Sequence, residues 1–410
     1  MFRIGRILLF VFLLSGLLAT SFVSEAQKKG PLRPSEPMLK LIENNLKQAC
    51  SQYKILKGRL PAGRFPKTYF IRTGRMETGE PDAWTSGFYP GTLMYLYQFS
   101  KDTSLSNEAL QRMKLLEKNA DRKDAYDLGF LMYNSYGNAQ RLLPSPEYAA
   151  LLQNSARALA ADFNAKVGAI RSRETGKWQF PVTTDGLANL ELLFWAARSG
   201  GDPALEKIAI THANTTLLNQ FRPDYSSYDV VDYDTTNGQV VSRKTARGYA
   251  DTSAWSRGQA WGLYGFTMLY RFTRDSRYLD QAVHIADFIS GNPHLPVDKI
   301  PYWDFNAPPF PVPLRDASSA AIMCSALLEL CGYTDPKKGQ EYVAVAEQII
   351  RSLSFDPYKA LVGENGGFLL KHSVGNMPAR IEVDVPETYA DYYFVEAMMR
   401  YRQLGEKRSW

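Results

Sequence analysis

The sequence predicts an all-α protein, an (α/α)6 barrel of six inner and six outer helices with long loops at one face. Three observations point to it. Segments with helical apolar spacing and one polar face alternate with segments apolar on nearly every side, six of each. The apolar segments start roughly 40 to 70 residues apart, a degenerate repeat of helical hairpins. Strand-like alternation is confined to long loops such as 222–256. Six apolar helices cannot bury themselves in an open row, whereas a ring sheathed by six amphipathic helices buries them all. An open superhelix of the same hairpins is the alternative architecture.

In chain order, the polar-faced helices fall near 38–56, 104–120, 147–166, 203–220, 276–290 and 337–354. The apolar ones fall near 87–99, 129–142, 186–198, 258–271, 318–331 and 389–402. The clearest apolar helix begins after Asp185: Leu187, Leu190 and Phe194 recur at helical spacing, and Ser199, Gly200 and Gly201 stop it. Asp185 stands at the N-cap position, either an ordinary cap or a carboxylate aimed into a pocket. In the 222–256 loop, Val230-Val-Asp-Tyr and Gln239-Val-Val-Ser are expected to pair as a hairpin.

Before the barrel, Arg3 and Arg6 precede an apolar run from Ile7 to Leu18 that is too short to span a bilayer. Ser24-Glu25-Ala26 has a small-x-small cleavage pattern. Residues 1–26 therefore read as a signal peptide, 27–37 as a tether and 38–410 as one catalytic barrel. The expected location is periplasmic or secreted, with no membrane association once the signal is cleaved. No cysteine in the leader supports a lipid anchor. The cysteines, Cys50, Cys324 and Cys331, are odd in number. The last two are roughly 10 Å apart along one helix, beyond disulfide reach.

The 410 residues are 45% hydrophobic and 22% charged, with a formal net charge of +6. That is the composition of a globular protein with a sizeable core. The basic residues are scattered, which argues against nucleic acid as a partner. A modest positive balance favours an anionic small substrate. His212, His284, His294 and His372 form no metal-like pair, so no metal is expected.

If the inner helices share a direction, the segments before their N-termini meet around one mouth. These are Asp82-Ala-Trp-Thr-Ser-Gly-Phe-Tyr-Pro-Gly91, Asp124-Ala-Tyr-Asp-Leu-Gly129, Gln179-Phe-Pro-Val-Thr-Thr-Asp185, Asp251-Thr-Ser-Ala-Trp-Ser-Arg257 onward, Tyr302-Trp-Asp-Phe305 with Arg315-Asp316, and Arg380-Ile-Glu-Val-Asp-Val-Pro-Glu387. Trp84, Trp255, Trp261 and Trp303 lie among them. Aromatic faces stack on sugar C–H faces, carboxylates take hydroxyls, and Arg257 or Arg315 can pair with a carboxylate. Asp127 and Asp185 open consecutive inner helices. Two close carboxylates repel, which raises one pKa and lets that group carry a proton for acid/base work on a glycosidic substrate.

Trp84-Thr-Ser-Gly-Phe-Tyr-Pro-Gly91, Tyr126-Asp-Leu-Gly-Phe130, Lys177-Trp-Gln-Phe-Pro181, Asp185-x3-Asn-Leu-Glu-Leu-Leu-Phe-Trp195 and Arg257-Gly-Gln-Ala-Trp-Gly262 resemble the unsaturated glucuronyl hydrolases, glycoside hydrolase family 88. Arg315-Asp-Ala-Ser-Ser-Ala320, Glu382-Val-Asp-Val-Pro386 and Tyr389-Ala-Asp-Tyr-Tyr393 extend the likeness over nearly all of 38–410. The resemblance implies an (α/α)6 barrel and removal of a 4,5-unsaturated uronic acid from lyase-generated oligosaccharides by hydration of its C4=C5 bond. It implies no metal or organic cofactor. By motif match Asp185 is the acid/base, Asp127 holds the C2 and C3 hydroxyls, Arg257 and Trp261 bind or stack the uronate, and Trp84 lines the subsite. His372-Ser373-Val-Gly-Asn376 is expected on the aglycone side.

Three positions depart from the family pattern: Tyr126 and Asp229 stand where histidine is frequent, and Arg173 stands where tryptophan is. Arg173 in place of an aromatic suits a sulfated sugar. The expected substrate is a glycosaminoglycan disaccharide, and the expected assembly a monomer or weak homo-oligomer. The competing readings are an unsaturated rhamnogalacturonyl hydrolase and a glycan-binding protein without catalysis. Retention of Asp127 and Asp185 weighs against the second.

Overall fold

The computed structural model describes residues 32–124, 126–172, 178–308 and 313–406. Residues 1–26 and the first part of the tether fall outside them. The remainder of the tether joins the fold: α1 (Glu36–Arg59) begins inside it, and the Ser35 amide donates to the Tyr401 hydroxyl at 3.0 Å.

Two helices form each repeat. After α1 come α2 (Phe88–Ser100), α3 (Thr103–Lys114) and α4, which is π-helical over Gly129–Gly137 and α-helical over Asn138–Leu142. They are followed by α5 (Pro146–Ala160), α6 (Gly186–Arg198), α7 (Ala204–Asn219), α8 (Ser256–Thr273) and α9 (Ser276–Gly291). Last are α10 (Ala317–Leu330), α11 (Pro336–Leu353) and α12 (Thr388–Arg402). Asp102, Ser145, Asp275 and Asp335 cap α3, α5, α9 and α11 by accepting from backbone amides of the first turn.

The even-numbered helices close a ring. Each packs on the next, α2 on α4 through to α10 on α12, and α12 returns to α2. α3, α5, α7, α9 and α11 lie against them from outside, and α1 covers α2 and α12. Every residue of α10 is buried, as are Ser256–Leu269 of α8 and Thr388–Tyr401 of α12. Removing one such large apolar side chain from water contributes about 1.5–3 kcal/mol, so rods apolar on all sides drive closure. The small residues Ala317, Ser318, Ala320 and Ala321 let α10 come close to both ring neighbours.

The inner helices share a direction. Trp84 and Phe88 before and at the start of α2 touch Phe130 of α4 and Tyr389 of α12. The Phe130 amide donates to Asn189 Oδ1 in the first turns of α6 at 3.0 Å, and Arg257 of α8 reaches Asp316 at the start of α10. Toward the other end, the half-buried pair Arg271–Glu191 (2.7 Å) and the buried pair Arg400–Glu329 (2.9 Å) tie α8 to α6 and α12 to α10.

The strands lie in loops. β1 (Phe65–Phe70) pairs with β2 (Arg75–Gly79), β3 (Phe163–Asn164) with β4 (Ala169–Ile170), and β8 (Ser373–Asn376) with β9 (Ile381–Val385). The hairpin expected near 230–242 forms as β6 (Val230–Tyr233) and β7 (Val240–Lys244), and β5 (Pro181–Thr183) extends it. Among the described residues no helix is long and apolar enough to cross a membrane.

Candidate active site

β5 delivers the chain to Asp185. Thr183, the last residue of the strand, turns into Thr184 and Asp185, and α6 starts at Gly186. Asp185 holds the N-cap position, yet its carboxylate caps no backbone amide. Its Oδ1 instead accepts from the Thr183 hydroxyl and, at 3.5 Å, from the Tyr126 hydroxyl. Its Oδ2 takes Arg247 Nη1 at 2.8 Å. The Thr183 oxygen is in turn 3.1 Å from the Tyr126 hydroxyl and 2.9 Å from Ser172 Oγ. A carboxylate at a helix start that forgoes the free amides and faces hydroxyls and a cation is placed for chemistry with a ligand.

Asp127 is half-buried at the turn before α4. Both Asp127 and Asp185 act on the buried Tyr126 hydroxyl, whose pKa burial and these two carboxylates push well above the tyrosine value. Asp127 follows Tyr126 directly in the chain, and it is Asp185 of the next inner helix that accepts from the phenol. Of the two carboxylates expected to repel so that one carries a proton at neutral pH, Asp185 is not the raised one. Burial pushes the Asp185 carboxyl up, but the Arg247 charge, the Thr183 hydrogen bond and the Arg257 charge outweigh it and hold the group below its ordinary value.

Arg247 was not singled out in the sequence. It sits in the loop after β7, and Asp229 builds that loop. Asp229 is 4% exposed, and its Oδ2 accepts from the Ala246 amide at 2.8 Å, the Arg247 amide at 2.7 Å and the Thr245 hydroxyl at 3.3 Å. Its Oδ1 lies 3.6 Å from Arg247 Nε. Asp229, expected to touch substrate, therefore acts on the loop that aims Arg247.

Arg257 is turned into the protein. Its Nη1 donates to Asp316 at 3.1 Å and to the Val374 carbonyl at 2.6 Å, and its Nη2 donates to the Gly375 carbonyl at 2.6 Å. It fastens the β8–β9 hairpin to the start of α10. Trp255, 3% exposed, carries both guanidiniums against its ring, Arg247 at 4.8 Å and Arg257 at 4.6 Å. Arg315 is likewise committed, to Asp298 at 2.9 Å.

Of the four mouth tryptophans, Trp255, Trp261 and Trp303 are buried at 3%, 1% and 5% exposure, and Trp84 remains partly open. Trp261 is a floor, 5.0 Å from Phe130 and 5.2 Å from Tyr393. Ser373 is buried in β8 opposite Val385, and its hydroxyl has no protein partner. Arg173 lies outside the described residues.

No protein-family model matches the chain. The chain is 40% identical over 354 residues to an unsaturated glucuronyl hydrolase of Formosa agariphila, covering 86% of this chain and 88% of that one. The chain belongs to the unsaturated glucuronyl hydrolase family. An unsaturated chondroitin disaccharide hydrolase of Streptococcus pyogenes is 31% identical over 78% of this chain and 81% of its own. Among solved structures, an unsaturated glucuronyl hydrolase specific for heparin superposes with a TM-score of 0.86 at 45% identity, covering 89% of this chain and 97% of that one. An unsaturated glucuronyl hydrolase from Streptococcus agalactiae gives 0.82 at 27% identity over 89% and 92%. These likenesses span the whole ring, so the all-α barrel and the glycosidase activity belong to the chain as a unit.

Proposed function

We propose that the protein removes the 4,5-unsaturated uronic acid from the non-reducing end of lyase-generated glycosaminoglycan disaccharides by hydrating its C4=C5 bond. The observation that carries the assignment to residues is the Asp185 carboxylate, which stands at a helix N-terminus, caps nothing and accepts instead from the Thr183 and Tyr126 hydroxyls. In this reading Asp185 delivers a proton to C4 and water adds its oxygen at C5. The proton lost by that water returns to the site, and the hemiketal formed at C5 opens to release the remaining sugar. Asp127 holds ring hydroxyls, Trp84 offers the open ring face at the mouth, and Ser373 lies on the aglycone side. Relatives named for heparin and for chondroitin disaccharides support a sulfated or acetylated amino sugar as the leaving unit. Arg173, replacing an aromatic, is our candidate for the sulfate contact. We further propose export by residues 1–26 to the periplasm or the medium, and a monomer or weak homo-oligomer.

Unsaturated uronates absorb in the ultraviolet, and hydration destroys the chromophore. Incubation with lyase digests of heparin, chondroitin and rhamnogalacturonan tests the reading. Bleaching of a glycosaminoglycan digest is the expected result. Bleaching of the rhamnogalacturonan digest alone would assign the chain a different substrate, and no bleaching of any digest would leave it without this activity.

A further inference from the structure

The acid proposed for catalysis is paired with a cation in the free protein, and the pair has a particular construction. Arg247 is held by its backbone, because its own amide and that of Ala246 both donate to the buried Asp229 carboxylate. Its guanidinium lies 3.6 Å from Asp229 through Nε and meets Asp185 through Nη1 at 2.8 Å. The side chains of Arg247 and Asp185 are 16% and 13% exposed at the mouth, whereas that of Arg257 is 5% exposed and bound by two carbonyls. The Arg247 guanidinium lies over the flat face of Trp255, a surface across which a planar cation slides without losing its stacking.

We infer that Arg247 is a displaceable counter-ion, which pairs with Asp185 in the free protein and transfers to the carboxylate of a bound uronate, freeing Asp185 to take up a proton. The inference rests on Asp185 being the acid, as proposed above. A uronate carboxylate at the mouth is a second anion competing for one guanidinium in fork geometry. Once Arg247 turns to it, Asp185 keeps its burial and loses its nearest positive charge, and both changes favour the protonated form.

The remaining groups facing Asp185 leave this balance with Arg247. Thr183 of β5 supplies a neutral hydrogen bond, and Tyr126 before α4 stays a neutral phenol. Arg257 of α8 adds a weaker positive charge and is itself held by the Val374 and Gly375 carbonyls. His212 of α7 lies beside Gly186 but is buried and held neutral, its pKa lowered by burial to about 4. The consequence is selectivity in turnover as well as binding: a sugar without a carboxylate does not release the acid.

The test is a pair of pH profiles on the bleaching assay. In the wild type the alkaline limb of kcat should lie at least about one pH unit above that of kcat/KM, because only the complex has lost its counter-ion. In Arg247→Gln the two limbs should converge, with the kcat/KM limb moving upward, while Arg247→Lys should keep part of the separation. Binding of a saturated methyl glucuronide, followed calorimetrically in two buffers of different ionisation enthalpy, should take up a proton in the wild type and none in Arg247→Gln. Coincident limbs in the wild type, or proton uptake unchanged in Arg247→Gln, overturns the inference. If Asp185→Asn bleaches at the wild-type rate, it is the acid assignment that fails. If that variant is inactive and the profiles ignore Arg247, only the counter-ion role fails.

Discussion

The Tyr126 hydroxyl occupies the space that a side chain on residue 186 would need: a Cβ built on Gly186 would lie 2.5 Å from it. The glycine after Asp185 thus lets a phenol from the neighbouring inner helix approach the carboxylate. Gly186→Ala should push Tyr126 away, break its contacts with Thr183 and Asp185 and lower kcat by about tenfold or more. Removing the hydroxyl in Gly186→Ala/Tyr126→Phe relieves the clash, so the double variant should regain thermal stability over the single one. Equal melting temperatures for the two would show that the clash is not what the alanine costs.

Asp185→Asn should abolish most bleaching, a loss on the order of 10²–10⁴-fold for a general acid. Circular dichroism should show the same helix content, because the carboxylate caps no amide of α6. A coincident loss of helix would return Asp185 to a structural role.

Asp229 separates positioning from binding. Asp229→Ala leaves two half-buried amides and a hydroxyl without their acceptor, each costing at most about 1–3 kcal/mol, the range for fully buried donors. Asp229→Asn keeps an acceptor oxygen and should recover much of that stability. Both variants should lower kcat more than they raise KM, since the loop they disturb aims Arg247. A pure KM effect in Asp229→Asn would place residue 229 on the substrate.

The tryptophans divide by burial. Trp261→Ala should lower stability by about 3–5 kcal/mol in urea melts, the cost of emptying a packed aromatic site. Trp84→Ala should unfold nearly as the wild type does and raise KM. An unchanged KM for Trp84→Ala would remove it from the sugar subsite.

His212 predicts an acid limb of stability. Its ring is fully buried, its Nδ1 accepts from the Ile170 amide at 3.0 Å, and burial lowers its pKa from 6.5 to about 4. The folded protein therefore binds fewer protons than the unfolded chain between those values. Stability is complete above pH 6.5 and is lost as pH falls toward 4, by about 2 kcal/mol at pH 5. His212→Gln keeps an acceptor for Ile170 and cannot protonate. Urea melts at pH 7 and pH 5 should show the wild type losing about that much more than the variant. Parallel losses would show that this ring does not carry the acid sensitivity.

The helices were legible because their signal is local. The apolar stripe from Leu187 to Phe194 and the stop at Ser199 place α6 at Gly186–Arg198, as the spacing predicts. Alternation within 230–242 marks β6 and β7 in the same way. The shared direction of the inner rods, which brings the starts of α2, α4, α6, α8, α10 and α12 to one end, is already implied by the alternation of polar-faced and apolar helices.

The site's cation was not legible in this way. Arg247 lies in a loop without periodicity, and the mouth segment that the sequence marks before α8 begins only at Asp251. Its partners, Asp185 and Asp229, stand on other elements, and nothing near Arg247 in the chain names them. For the same reason the motif offered Arg257 as the uronate's partner, although carbonyls of the β8–β9 hairpin already occupy it.

The sequence by itself determined the twelve rods, their order, and the place of Asp185 at the start of one of them, because periodicity and helix stops act over a few residues. Tertiary structure alone decided which arginine faces Asp185, that three of the four mouth tryptophans are buried, and that the candidate acid is held below its ordinary pKa. Those outcomes depend on which loop reaches which side chain across the mouth, and charge pairing and burial depend on distance in space, which spacing along the chain does not encode.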